Sequence, residues 1–156
     1  IGAPTNLAAT LIPQKAKHNL LDAVRWADHL GVDFSWHPKH PVRTLLPMRV
    51  LMSLCDDDGR LTRPDLAMAF YRAYWVDHAD LTDPEAVAAL VDSVGLNREV
   101  VDEATAPANK ARLRAASDTA ADRGIFGAPA MFVEDELYWG VDRLELVERA
   151  LSHGTR

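Results

Sequence analysis

Three groups of side chains have the types that metal binding or covalent catalysis uses. His37 and His40 lie three positions apart in a loop, but no cluster of cysteines or carboxylates completes a zinc site around them. Asp56–Asp58 resemble the opening of a calcium loop, but the glutamate expected at its twelfth position is absent. Cys55, the single cysteine, ends an apolar helical stretch, where a buried and inert thiol is the ordinary state. These patterns predict no metal site.

The composition narrows the class of protein. The chain has 156 residues, enough for one domain with a core, and its 48% hydrophobic and 26% charged residues are ordinary for a globular protein. A net charge of −6 argues against a nucleic-acid partner, and no apolar run is long enough to predict a membrane span. A single cysteine excludes an intrachain disulfide and a Cys-x-x-Cys motif, so we expect a reducing, cytoplasmic location.

The end of the chain predicts a β-hairpin. Gly124 ends a helix, and a turn centred on Pro129 leads into the short apolar stretch 130–133. A two-residue polar turn separates this stretch from a second strand over 136–139. From these residues alone an ordinary trans peptide before Pro129 is the better expectation, because few X–Pro bonds are cis.

A final helix is predicted after the hairpin. Gly140 breaks the second strand, and Asp142 is predicted to be the N-cap of the helix. Its apolar face is predicted from three residues at helical spacing, which are Leu144, Val147 and Leu151.

The rest of the chain predicts helices. Their approximate ranges are 14–30, 44–54, 63–76, 84–94, 99–105 and 107–123. In the first helix the spacing predicts an inward-facing apolar stripe of Leu20, Leu21, Val24, Ala27 and Leu30. In the third helix it predicts an inner face of Leu66, Phe70, Ala73 and Tyr74.

A long stretch of the sequence resembles a known family. Residues 123–151 read RGIFGAPAMFVEDELYWGVDRLELVERAL, and residues 11–49 and 70–96 contribute further matches. These segments are similar to the 2-hydroxychromene-2-carboxylate isomerases, relatives of the kappa-class glutathione transferases in the DsbA-like branch of the thioredoxin superfamily. Ala130 departs from the pattern, which usually has threonine there, and this puts one polar contact in doubt.

The resemblance implies an α/β fold of the DsbA-like thioredoxin type with a helical insertion. Residues 1–123 would form the helical insert, and residues 124–156 the C-terminal half of the thioredoxin-like domain. That half would contain a cis-proline turn at Pro129, a hairpin and a terminal helix. The family's first strand–helix–strand unit has no counterpart in the sequence, so we expect that it is missing from this chain.

The resemblance also implies a glutathione site. Ala128 and Pro129 would form a turn whose backbone pairs with the tripeptide as an added strand does. Val141 and Asp142 would bind its γ-glutamyl end, with the Asp142 carboxylate meeting the ammonium group. Asn6 and Lys15 would complete the pocket.

The implied activity is a glutathione-dependent isomerisation of a small, unsaturated substrate derived from an aromatic compound, as in the catabolism of aromatic compounds. The family's activating residue is a serine after the first strand, and no serine of this sequence corresponds to it. A kappa-like glutathione transferase and a non-catalytic glutathione- or partner-binding protein remain alternatives. A homodimer is expected, with Trp26, Trp36, Tyr71 and Trp75 as candidate interface or core residues.

Overall fold

A computed structural model describes residues 12–153 of the chain. It contains seven α-helices and one antiparallel hairpin within those residues. The helices are α1 (Pro13–Leu30), α2 (Leu45–Ser53), α3 (Pro64–Trp75), α4 (Pro84–Ser93), α5 (Val100–Glu103), α6 (Pro107–Asp122) and α7 (Leu144–His153). The strands are β1 (Ala130–Val133) and β2 (Glu136–Trp139). The chain divides into two compact units between Ala106 and Pro107, so α6 belongs with the hairpin, while a domain boundary at residue 123 stays a prediction.

The first unit has a core built by α2, α3, α4 and α5. The largest fully buried side chains there are Val50, Leu66, Val87 and Val91. The predicted inner face of α3 is confirmed, because Leu66, Phe70, Ala73 and Tyr74 are all buried. Helix α4 begins as the sequence predicts, since the Asp83 side chain accepts a hydrogen bond from the Glu85 amide before Pro84 at the first helical position.

An aromatic cluster joins the loop before α2 to the end of α3. Its rings, each within contact distance of another, belong to Phe34, Trp36, His37, His40, Tyr74 and Trp75. The buried Tyr74 hydroxyl accepts a hydrogen bond from the Val42 amide at 3.2 Å and lies 2.8 Å from Nδ1 of His40. The loop therefore gains both ring packing and a satisfied buried hydroxyl.

Helix α1 has the predicted bounds but not the predicted burial. The spacing predicts its leucines to face inward, yet Leu20, Leu21 and Leu30 are 46%, 47% and 65% exposed within the described residues. The helical spacing of apolar residues predicts that a helix has an apolar face, but it does not predict which neighbouring element covers that face. The same holds for α7, where Leu144 is 56% and Leu151 71% exposed.

The second unit starts with α6, and Gly124, two residues after this helix, has a left-handed φ of +83°. The Gly124 amide donates to the Ala121 carbonyl, and the Ile125 amide donates to the Ala120 carbonyl. These two bonds form a Schellman motif, which a glycine at this position favours. The guanidinium of Arg123 lies 3.6 Å from the ring centroid of Phe132, so the end of α6 packs on β1.

The hairpin has the predicted strands to the residue. Its register pairs Ala130 with Trp139 and Val133 with Glu136. The Ala128–Pro129 peptide is cis, as the family resemblance implies, and the local expectation of a trans bond is wrong. A second cis bond, His40–Pro41, was not predicted.

The predicted N-cap at Asp142 is wrong. A 3-10 turn over Val141–Arg143 precedes α7, and its N-cap is Gly140, so Asp142 lies inside the turn and its side chain caps nothing. The Arg143 amide bonds the Gly140 carbonyl at 3.2 Å. The aspartate side chain instead forms an ion pair with Arg143.

Candidate functional site

The turn that enters β1 presents an unpaired peptide backbone. Ala128 and Pro129 are both exposed, and the Pro129 carbonyl accepts a hydrogen bond from the Gly140 amide at 3.0 Å. Within residues 12–153, neither the amide nor the carbonyl of Ala128 has a hydrogen-bond partner. Exposed backbone groups without partners are what an extended peptide pairs with when it binds as an added strand.

The register extends this open edge along β1. The Pro129–Gly140 pair is hydrogen-bonded, and in an antiparallel ladder such pairs alternate with pairs that are not. Ala130, which faces Trp139, therefore directs its backbone groups away from β2, as does Phe132. The edge that begins at Ala128 continues along the strand.

An exposed aromatic pair lies beside the turn. Phe126 is 73% exposed and Trp139 is 50% exposed, and their ring centroids are 5.1 Å apart. A Cβ atom on Gly127 would lie 2.6 Å from the indole nitrogen of Trp139, so the indole packs on the turn backbone and a side chain at this position would displace it. The sequence alone did not predict this pair, although each ring is followed by a glycine, in Phe126-Gly127 and in Trp139-Gly140.

Asp142 and Arg143 form a charge pair just after the hairpin. Arg143 donates from Nη1 to Oδ2 of Asp142 at 2.6 Å, and both side chains remain largely exposed. Gly140 lies close to the carboxylate of this pair, since a Cβ atom on Gly140 would lie 2.5 Å from Oδ1 of Asp142. Since Gly140 also bonds Pro129, the ladder brings Val141 and Asp142 close to the turn at Ala128.

The other two predicted site residues lie elsewhere. Lys15 is an exposed residue in the first turn of α1, in the unit before Pro107, and its contribution to a pocket stays a prediction. Asn6 lies outside the described residues.

Metal and thiol sites are not supported in the described part of the chain. No group of three or more His, Cys, Asp or Glu side chains within residues 12–153 could hold a metal ion. Cys55 is half-buried, and its Sγ donates to the Leu51 carbonyl at 3.4 Å.

Of the helices within residues 12–153, none combines the length and apolar character that crossing a bilayer requires.

Comparison with known proteins decides the family. The sequence model of the DsbA-like thioredoxin domain matches residues 2–152. The chain belongs to this family. The fold agrees with a solved structure of a 2-hydroxychromene-2-carboxylate isomerase, which superimposes with a TM-score of 0.72. The alignment covers 88% of this chain and 66% of the isomerase chain, with 23% sequence identity. At that identity the likeness shows the fold alone.

Curated relatives add sequence similarity over a shorter range. A 2-hydroxychromene-2-carboxylate isomerase of Sphingobium xenophagum is 37% identical over 84 residues, which is 53% of this chain and 43% of the relative. The enzyme of that name from Pseudomonas sp. (strain C18) is 34% identical over 84 residues, covering 53% of this chain and 39% of the relative. The matches thus span less than half of the length of these relatives.

Proposed function

We propose that this DsbA-like chain is part of a glutathione-dependent isomerase of the 2-hydroxychromene-2-carboxylate isomerase type. The reaction class is supported by the shared name of its curated relatives. The observation that carries the glutathione part is the exposed backbone of Ala128, whose amide and carbonyl have no partner within residues 12–153. Two main-chain hydrogen bonds to a cysteinyl residue fit this edge, each contributing about 0.5–1.5 kcal/mol.

The charged carboxylate of Asp142, which follows the hairpin, also suits glutathione as the ligand. The γ-glutamyl group of glutathione carries an ammonium group and a carboxylate, and Asp142 offers an exposed carboxylate for the ammonium. Gly140 connects this residue to the turn, because its amide bonds the Pro129 carbonyl. One extended tripeptide therefore has a backbone partner at Ala128 and a charged partner at Asp142.

When bound, glutathione supplies the thiol that adds to the unsaturated substrate and leaves again after rotation about the loosened bond. The contribution of this chain is to hold the tripeptide in an extended form. The exposed rings of Phe126 and Trp139 beside the turn, whose planes are tilted by 52°, offer an apolar surface for an aromatic substrate.

Product analysis with the full-length protein tests the proposal. The protein is incubated with glutathione and a 2-hydroxychromene-2-carboxylate, and the products are separated by liquid chromatography and identified by mass spectrometry. An isomerase gives a new chromatographic peak with the mass of the substrate and leaves the glutathione unchanged. A stable adduct of substrate and glutathione would instead indicate a kappa-like transferase, and tight glutathione binding without any product would indicate a binding protein.

A further inference from the structure

The loop before α2 contains a histidine that is buried and only partly hydrogen-bonded. His37 is 5% exposed, and its ring stacks on that of Tyr74 with the centroids 4.7 Å apart. Its Nδ1 accepts a hydrogen bond from the Lys39 amide at 3.0 Å, so the proton of the neutral ring is on Nε2. This Nε2 is buried and has no hydrogen-bond partner within residues 12–153.

The hydrogen bond from the Lys39 amide is incompatible with a charged His37 ring. Because Nε2 already carries a proton, a second proton must go to Nδ1. The N–H of Nδ1 would then point at the N–H of Lys39, and a backbone amide nitrogen does not accept hydrogen bonds. The charge would also be buried, which is costly unless the charge is paired. The loop in its present form therefore fits only neutral His37.

The nearby carboxylate of Asp80 does not pair with His37. Asp80 lies between α3 and α4 and interacts electrostatically with both His37 and Lys39. Its Oδ1 accepts hydrogen bonds from the amide and the hydroxyl of Thr82, at 3.0 and 2.6 Å, and no ion pair joins it to His37 within the described residues. Lys39 carries a charge that repels a second proton on the ring.

The other two histidines of the cluster have partners that suit either protonation state. Nδ1 of His40 lies 2.8 Å from the Tyr74 hydroxyl, and Nε2 of His78 lies 2.7 Å from the Ser35 hydroxyl. A hydroxyl group donates to a neutral ring nitrogen and accepts from a protonated one. The His78 ring meets that of His37 edge-on, with the centroids 5.5 Å apart. Of these three rings, His37 alone is tied to its neutral form.

We propose that His37 is an acid-released latch for the loop 35–42. The closed loop requires a neutral ring, whereas an open loop lets the ring take up a proton as an ordinary histidine does, at about pH 6.5. The closed form is therefore favoured above this pH, and its advantage falls about tenfold for each pH unit below it. Trp36 lies in the same loop, and its Nε1 donates to the Leu20 carbonyl at 3.3 Å, so opening also releases α1.

Hydrogen exchange of the Lys39 amide in the full-length protein tests the latch. Exchange is followed by NMR from about pH 7.5 to about pH 5.5, and each rate is divided by that of an unstructured chain at the same pH. The protection of this amide should fall about tenfold between about pH 6.5 and about pH 5.5. The Val91 amide, on the buried face of α4, should keep its protection.

His37→Asn is the matched variant, because an asparagine oxygen accepts an amide two positions along the chain and takes up no proton in this pH range. The fall in protection should disappear in this variant. His29→Gln is the control, because His29 is an exposed histidine of α1 whose ring contacts Trp26. The fall should remain unchanged in the control.

Three results would contradict the latch. Constant protection of the Lys39 amide in the unchanged protein would mean that acid does not open the loop. An equal fall in His37→Asn would assign the opening to another group, which His40→Gln and His78→Gln would identify. The third result needs no variant: ring nitrogen resonances that show a second proton on His37, while the Lys39 amide stays protected, would mean that the closed loop accepts the charged ring.

Discussion

Replacing Gly140 by alanine should destabilise the hairpin unit through two separable effects. Gly140 has φ of +105° and ψ of 151°, a combination that is essentially confined to glycine. The added Cβ atom would also lie 2.5 Å from Oδ1 of Asp142, so the carboxylate would have to move. The substitution therefore strains the backbone and displaces the charge pair at the same time.

The two effects have different sizes. Placing a non-glycine residue in this region of backbone space costs about 1–3 kcal/mol. Moving the Asp142 carboxylate away from Arg143 breaks an exposed ion pair, and such a pair contributes up to about 1 kcal/mol to the free energy of unfolding. The free energy of unfolding should therefore fall by about 1–4 kcal/mol in Gly140→Ala.

Urea denaturation followed by circular dichroism measures this change, and hydrogen exchange of the amides in β1 and β2 assigns it to the hairpin. Gly31→Ala is the matched control, because Gly31 also has a positive φ, of +64°, but has open space where its Cβ would lie. The control should cost about 1 kcal/mol. In an Asp142→Ala background the cost of Gly140→Ala should fall by about 1 kcal/mol, because no carboxylate is left to displace.

Two outcomes would refute the reasoning about Gly140. A cost no larger than that of Gly31→Ala would mean that the backbone conformation at Gly140 is not restrictive. An identical cost with and without the Asp142 side chain would mean that the added methyl group does not displace the carboxylate.

Three further predictions concern the helical unit and the assembly. Tyr74→Phe should lower the free energy of unfolding by about 1–3 kcal/mol, because the Val42 amide loses its acceptor, and denaturation by urea measures this. Hydrogen bonds from Thr82 lower the pKa of Asp80 below its ordinary value of 3.8. The charged form of Asp80 therefore stabilises the fold above pH 3.8, and this stabilisation is lost as the pH falls through the lowered pKa. The difference in stability between Asp80→Asn and the unchanged protein should accordingly shrink below about pH 4. The full-length protein should sediment as a homodimer at micromolar concentration, and a monomer there would contradict the expected assembly.

Local signals were sufficient to predict the hairpin. The apolar stretch 130–133 is bounded by Pro129 and by two acidic residues, and Gly140 ends the second strand, so the strand bounds agree to the residue. The helix ends agree for a similar reason, because Gly31 and Gly124 adopt the left-handed conformation that ends a helix.

Contacts between distant residues were not predictable in this way. The aromatic cluster brings Phe34 and Trp36 to Trp75, about forty positions away, and sequence spacing carries no signal for such a meeting. The exposure of Leu20 on α1 depends on what packs beside the helix, which periodicity does not contain. Asp142 has a residue type common at N-caps, but the strand ladder ends at Gly140 and places the cap there instead.

The tryptophans give the two compact units separate optical signals. Trp36 and Trp75 have ring centroids 5.6 Å apart and nearly perpendicular planes, a fixed and asymmetric arrangement whose coupled transitions should dominate the near-ultraviolet circular dichroism. Trp139 is half-exposed beside Phe126, so its emission responds to whatever occupies the surface next to Ala128. Melting of the helical unit can therefore be followed by near-ultraviolet circular dichroism, and occupancy of the hairpin by the change in tryptophan emission when the ligand is added.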